Sequence, residues 1–307
     1  GRYFNSFRNY FFNHVQIDFI HLFESRKDTF SRDSVLQETL ILKAKPKSGK
    51  EKEPQIIVST CSGLQDIEQS KRTIYLQTDL IDLTSKEKII HLPTNTREEA
   101  IIDLFKKWSG SLSQYNIQIS TGPVVAFRME NFIRETVENE TVSLYWLHNV
   151  TKMEIIYPLQ KTNKGQYIQI CEQTKPYLIP NRNYIFLRRF SAKDDKSRLV
   201  AAPYFSLPGT PRYIGVENKL NYIYRPQGHL SRTEVMGIAA LLNSNLFDSY
   251  FRTFNGNVNV SATELRAMRL PPLETIKDIG KKLILLNNFS MKNVSKVIDD
   301  FFELNKL

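Results

Sequence analysis

The chain has only two cysteines in 307 residues, Cys61 and Cys171, far apart and in no C-x-x-C pair. Neither a disulfide framework nor a cysteine zinc site can be assembled from them, and such usage suits a reducing compartment, the cytoplasm. No apolar stretch approaches the ~20 residues that cross a bilayer. The opening residues, with Arg2, Asn5, Arg8 and Asn9 among aromatics, are not a signal peptide, so no membrane partner is expected. Residue 1 is not Met, and helical periodicity begins at once. The chain therefore reads as a fragment of a longer one.

Familiar catalytic motifs are equally scarce. His14, His21, His91, His148 and His229 form no H-E-x-x-H or H-x-H spacing, and no serine sits in G-x-S-x-G. Phe254-Asn-Gly-Asn257 carries one glycine and does not join a strand to a helix, so it is no cofactor loop. His148-Asn149 lacks the nearby metal partners of a nuclease site and reads as a turn pair.

Positive charge is what the chain has in excess. Lys plus Arg number 42 against 32 Asp plus Glu, a net +10, which favours a polyanionic partner such as nucleic acid. Hydrophobic residues at 41% and charged residues at 24% match ordinary globular usage, so a packed protein is expected. The length suggests two domains at ~150 residues each.

Phe4, Phe7, Phe11 and Val15 recur at helical spacing, predicting a helix at the start. Residues 17–23, 35–44 and 55–60 read as strands, the last two as a hairpin with a solvated lysine-rich tip at 45–52. Residues 1–76 thus run in the order in which a larger Rossmann-like sheet would finish. Residues 77–95 read as a polar linker. Thr96 and Glu99 form a capping box that opens a helix with Ile101, Ile102, Phe105 and Trp108 on its apolar face, and a second domain, 96–307, begins there.

Between 116 and 224, short Tyr- and Ile-rich runs separated by Gly and Pro predict an antiparallel β region. Ser231 and Glu234 cap a long helix, stapled by Leu230 and Val235, with a break at Asn243-Ser-Asn245. Ser261 and Glu264 repeat the cap, Pro271-Pro272 ends that segment, and helical periodicity closes the chain from 276 to 304. The fold class expected is mixed α+β.

The stretch richest in candidate chemistry holds Arg188, Arg189, Lys193, Lys196 and Arg198 within eleven residues. On a loop or strand edge these make phosphate contacts and, through bidentate Arg, read guanine in the major groove; the alternative is a solvated charged hairpin. Phe30, an aromatic among polar residues, is either a core plug or a stacking platform.

At this point His21-Leu-Phe-Glu-Ser-Arg26, Phe30 and Val35-Leu-Gln-Glu38 resemble the end of the catalytic domain of adenine-N6 DNA methyltransferases, in the TaqI-like subgroup that includes fused restriction-modification enzymes. Ser120-Thr-Gly-Pro-Val-Val125, Arg198-Leu-Val-Ala-Ala-Pro203, Gly215-Val-Glu-Asn218 and Leu242-Asn-Ser244 resemble their target recognition domain. So do Arg252, Asn255-Gly-Asn257, Ala262-Thr-Glu-Leu-Arg266 and Leu270-Pro-Pro272. The resemblance covers nearly the whole chain and rests on the order of the pieces.

It implies two domains, a truncated tail of a Rossmann-like methyltransferase sheet and a β-rich target recognition domain with C-terminal helices. In the family, the first binds S-adenosylmethionine and flips the target adenine, while the second reads duplex DNA from the major groove. The F-x-G-x-G-type cofactor turn and the N-P-P-Y loop have no counterpart here, since Pro271-Pro272 follows Leu270. They are expected upstream of Gly1, so S-adenosylmethionine belongs to the full-length enzyme, the upstream catalytic segment is a partner, and the chain alone is not expected to transfer methyl groups.

By resemblance, Phe30, five residues before Val35, stacks on the extruded adenine, an interaction worth ~1–3 kcal/mol. Arg188, Arg189, Lys193, Lys196 and Arg198 form the DNA-facing edge. Thr121 and Gly122 offer backbone N–H groups to a phosphate. Asn255, Asn257 and Asn259 present amides to adenine edges or cap turns, and Arg266 reaches phosphate or pairs with Glu264. Rival readings are a separate specificity subunit, part of a fused restriction endonuclease-methyltransferase, and an interaction scaffold.

Overall fold

The computed structural model describes residues 4–25, 39–48, 53–160, 162–191 and 194–304. Contacts divide the chain into two units, Gly1–Glu99 with Arg252–Asn257, and Ala100–Phe251 with Val258–Leu307. Both mix helix and strand, so the class is α+β.

The first unit runs α1 (Asn5–His14), β1 (Val15–Phe23), β2 (Thr39–Pro46), β3 (Gln55–Cys61), β4 (Lys71–Leu76) and α2 (Gln77–Leu80). The sheet order is β2-β1-β3-β4, with β1 antiparallel to β2 and parallel to β3, and β3 antiparallel to β4. The hairpin expected between the second and third strands does not form, because β1 lies between them. The reason is in β1 itself: Ile20 and its neighbour His21 are both buried, so both faces of this strand are covered, as befits a central position. β2, exposed along nearly its whole length, takes an edge.

Burial of His21 is compatible with its ring contacts, Nδ1 to Ser59 Oγ at 3.0 Å and Nε2 to Cys61 Sγ at 3.2 Å. Desolvation, with the charge of Arg72, holds its pKa below the ordinary histidine value.

Residues 77–95 are not a linker. Leu80 and Ile81 enter the core with Phe12, Ile17, Ile20, Ile56 and Val58, and Ile90 and Leu92 pack against them. The physical cause is that these apolar side chains are spaced among polar ones, a pattern that looks loop-like in sequence yet buries one side of an irregular segment. Ile81 bridges Ile90, and the His91 N–H donates to Leu80 O at 2.8 Å. A late piece of chain completes this unit, the Leu92 N–H donating to Thr253 O at 2.7 Å.

The helix α3 spans Thr96–Lys106. Its cap lies one residue earlier than expected: Asn95 Oδ1 accepts the Glu98 N–H at 3.0 Å, and the Glu98 carboxylate takes the Thr94 N–H at 2.7 Å. Asn is the stronger N-cap residue, and here it displaces Thr96.

The second unit continues through β5 (Gln118–Thr121), β6 (Ile133–Arg134), β7 (Thr141–Tyr145), β8 (Val150–Thr151), β9 (Glu154–Ile155), β10 (Tyr167–Gln169), β11 (Ile179–Pro180), β12 (Tyr184–Arg188), β13 (Ala201–Tyr204), β14 (Tyr213–Val216) and β15 (Leu220–Tyr224). Two larger sheets result, β11-β14-β7-β10-β6 and β13-β12-β15-β5. All pairings are antiparallel except β14 with β7. Both sheets feed one core, with Tyr145, Ile214 and Val216 from the first meeting Tyr184, Phe186 and Leu220 from the second.

Helices α4 (Arg232–Asn243), α5 (Asn245–Arg252), α6 (Ala262–Ala267), α7 (Leu273–Leu286) and α8 (Met291–Phe302) follow. Ser231 Oγ accepts the Glu234 N–H at 3.2 Å and the Glu234 carboxylate returns to the Ser231 N–H at 2.8 Å, the expected box, with Leu230 and Val235 fully buried. The helix breaks at Ser244, as read from sequence. α4 and α7 touch backbone to backbone: a Cβ on Gly237 would lie 2.0 Å from Ile276 O, and one on Gly280 1.9 Å from Thr233 O.

Candidate nucleic-acid interface

β12 delivers the basic stretch to the end of its sheet, and hydrogen bonds then fix the chain beyond it. The Arg189 N–H donates to Lys219 O at 3.0 Å, the Val260 N–H to Arg189 O at 2.8 Å, and the Ser191 N–H to Val258 O at 2.9 Å. Residues 189–191 are thus clamped between the turn joining β14 to β15 and the segment 258–260, where Phe190 bridges Asn259. Side chains carried on such a paired backbone are placed more firmly than on a free loop.

What this segment shows to solvent is cationic and aromatic. Arg189 is half-buried, donates from Nη1 to Asn218 O at 3.0 Å, and sets its guanidinium 5.4 Å from the Phe190 ring centre. Phe190 is itself 41% exposed. Lys219 is exposed beside Glu217, at 3.7 Å. Lys196 is exposed on the loop between β12 and β13, whose neck is closed by Ser191 Oγ donating to Arg198 O at 2.8 Å. Arg188 turns inward, Nε donating to Val150 O at 2.7 Å; burial lowers its pKa against the opposing charge of Asp195.

Arg198 departs from the sequence expectation. It is 0% exposed, its Nε donates to Ser191 Oγ at 3.1 Å, and its guanidinium lies over Phe251 at 5.5 Å from the ring centre. Asp248 fixes the backbone here, Oδ1 accepting the N–H groups of Arg198 at 2.6 Å and Leu199 at 3.0 Å. Charge in a sequence does not say which way a side chain turns, and a long cation with this many partners is tolerated inside. Arg198 is a strut of the second unit.

Thr121 and Gly122 are also engaged internally. Thr121 Oγ1 donates to Asn221 Oδ1 at 3.1 Å, and the Gly122 N–H to Leu220 O at 2.8 Å, so that amide is not presented to a phosphate. Glycine is required there because a Cβ would lie 2.2 Å from Glu217 O. Asn255 is buried and Asn257 exposed in the first unit, while Asn259 lies beside Phe190 in the second. Arg266 donates from Nη2 to Ile119 O at 2.7 Å, pinning α6 to β5. Phe30 and Lys193 lie outside the described residues. Sequence reading missed Phe190 and Lys219; the signal available for Lys219 was the polar Glu217-Asn218-Lys219 turn between two apolar runs.

Among the described residues no group of acidic, His or Cys side chains is placed to hold a metal. In the first unit, the glycine turn after β3 is closed by Asp66, whose carboxylate takes the N–H groups of Ser62 at 2.9 Å and Gly63 at 2.8 Å. Those backbone hydrogen bonds hold the Asp66 carboxyl below its ordinary pKa.

No protein-family model matches the chain. The Type II methyltransferase M.PstI of Providencia stuartii is 32% identical over 305 residues, covering 99% of this chain and 59% of that protein. The Type II methyltransferase M.BsuBI of Bacillus subtilis is 34% identical over 284 residues, 92% of this chain and 56% of that protein. This chain is a relative of the Type II methyltransferases of restriction-modification systems. The methyltransferase relative spans somewhat over half the length of those two proteins. The crystal structure of the type IIG restriction endonuclease BpuSI aligns with 93% of the chain and 40% of its own, at a TM-score of 0.41 and 10% identity, a likeness too distant to bear on the fold.

Proposed function

We propose that the chain recognises duplex DNA for a site-specific adenine-N6 methyltransferase of a restriction-modification system. In this reading the second unit is the target recognition domain, and the first closes the Rossmann-like sheet of a catalytic domain. That domain's S-adenosylmethionine site and N-P-P-Y loop lie in an upstream segment, and the enzyme works on cytoplasmic DNA. The observation that carries the reading is the clamped end of β12, where Arg189 sits on a backbone bonded on both sides, with Lys219 exposed on the turn it is bonded to and Lys196 exposed on the loop that follows. Phosphate contacts of this kind position a protein on DNA, and base edges are then read by neighbouring side chains. Phe30 has the family's spacing for stacking on the extruded adenine.

The test is duplex binding to a randomised pool across a salt series, with the retained fraction sequenced. Each phosphate contact contributes about −0.9 to the slope of log K against log salt. Arg189→Ala and Lys196→Ala are each expected to weaken binding and flatten the slope by about one contact. Unchanged affinity and slope in both variants would remove this edge from the interface.

A further inference from the structure

Phe127 lies on the surface of the second unit. It is 76% exposed, equalled among the described large apolar side chains only by Leu285. It sits at the tip of a single helical turn, Ala126–Arg128, and the residues on either side hold that tip in place. Val124 and Met129 are buried in one cluster with Val142, Leu144 and Trp146. The Arg128 N–H donates to Val125 O at 2.9 Å and the Met129 N–H to Ala126 O at 3.0 Å. The tip is therefore built, and its phenylalanine is held out of the core by neighbours on both sides that go in.

Two further observations connect it to the basic edge. The Arg128 guanidinium lies 5.4 Å from the Phe127 ring centre, the same pairing that Arg189 makes with Phe190. Val124 is bonded to the very turn that Arg189 grips: the Asn218 N–H donates to Val124 O at 2.9 Å, and Arg189 Nη1 donates to Asn218 O at 3.0 Å. Three Cα-to-Cα steps lead from Val124 to Phe127, a reach of at most ~11 Å. Two exposed phenylalanines, each paired with an arginine, thus lie on segments that are hydrogen-bonded to the turn between β14 and β15.

We propose that Phe127 is a DNA-contacting wedge, inserting its ring against or between bases of the duplex while Arg128 meets the adjoining phosphate. The inference rests on the duplex-DNA reading above. An exposed aromatic on a bare surface lowers solubility, whereas beside cations it has a partner of the right chemistry: apolar wedges enter base steps where basic side chains hold the backbone. What favours a polyanion is the arginine set against each exposed ring, Arg128 on Phe127 and Arg189 on Phe190, with Lys196 and Lys219 exposed on the neighbouring loop and turn, although Glu130, Asp194, Asp195 and Glu217 lie on the same segments.

The test compares the whole chain with Phe127→Ala, Phe127→Trp and Arg189→Ala, measuring affinity for a mixed-sequence duplex and its salt slope. The wedge predicts that Phe127→Ala loses roughly 5- to 150-fold in affinity, the range of ~1–3 kcal/mol per stacked base. Its salt slope is expected to stay unchanged, and Phe127→Trp to retain binding. Arg189→Ala is expected to change the slope instead. Wild-type affinity in Phe127→Ala, with Arg189→Ala still impaired, overturns the wedge and leaves DNA recognition standing. Absence of salt-sensitive duplex binding by the unaltered chain overturns both.

Discussion

Gly280→Ala adds one methyl group at the crossing of α4 and α7. Alanine is the better helix former by about 1 kcal/mol, so on propensity alone the change stabilises. The crossing reverses that sign. The new Cβ would lie 1.9 Å from Thr233 O and 2.9 Å from Gly237 N, where ordinary contact begins at 3.4 Å, and both obstacles are backbone. The helices must part by about 1.5 Å, and a gap beyond 1 Å already forfeits about half of the dispersion energy of facing atoms. Overpacking typically costs about 1–3 kcal/mol, and rigid backbone on the far side puts this site at the upper end. The net loss is then about 2 kcal/mol, a fall in Tm of about 4–8 °C for a unit of this size. Both tryptophans, Trp108 and Trp146, belong to the second unit, so their fluorescence follows its melting apart from the first. A Gly280→Ala melting point equal to or above wild type would refute the backbone-to-backbone crossing.

Arg198→Ala is expected to destabilise the second unit by about 3–5 kcal/mol in tryptophan-monitored unfolding, because it empties a fully buried site and strips partners from its neighbours. Duplex bound by its folded fraction should keep the wild-type salt slope, unlike Arg189→Ala. Buried Glu234 is raised by desolvation, but hydrogen bonds from Arg225, at 3.0 Å to each oxygen, and from Ser231 outweigh this and leave its pKa below the ordinary value. A depressed folded pKa stabilises above the unfolded value of about 4.3 and is lost as pH falls through the folded one. Glu234→Gln should therefore be less stable at neutral pH and show a shallower acid limb in the same assay.

Local signals were legible wherever one residue decides a local hydrogen bond. Ser231, Ser261 and the Asn243-Ser-Asn245 break placed helix ends in the structure as they read in sequence, because a side-chain oxygen either reaches the free N–H or does not. Pairing was not legible in the same way. Alternating apolar residues in β2 and β3 mark strands, but nothing in either says that β1 comes between them. The basic stretch was visible as composition, yet its members divide by orientation: Arg198 inside, Arg188 half-buried against Val150, Lys196 outside. Orientation is set by partners such as Ser191, Asp248 and Val150, which lie in other elements and leave no mark on the local pattern. Phe127 escaped for the converse reason, since an aromatic between the apolar Val124-Val-Ala126 and Met129 reads as core.

The first unit draws on Arg252–Asn257, more than 150 residues after Glu99. His91 is the meeting point, its Nδ1 within 2.8 Å of Thr253 Oγ1 and its ring edge-on to Phe254 at 5.2 Å. During synthesis the ribosome must therefore add the rest of α3, the whole β region, α4 and most of α5 before the first unit can acquire its last piece. At ~5–20 residues per second that interval is roughly 8–30 s. The unit that begins first in the chain is completed inside the synthesis of the other, and no single cut between 100 and 251 releases it with all its parts on one polypeptide.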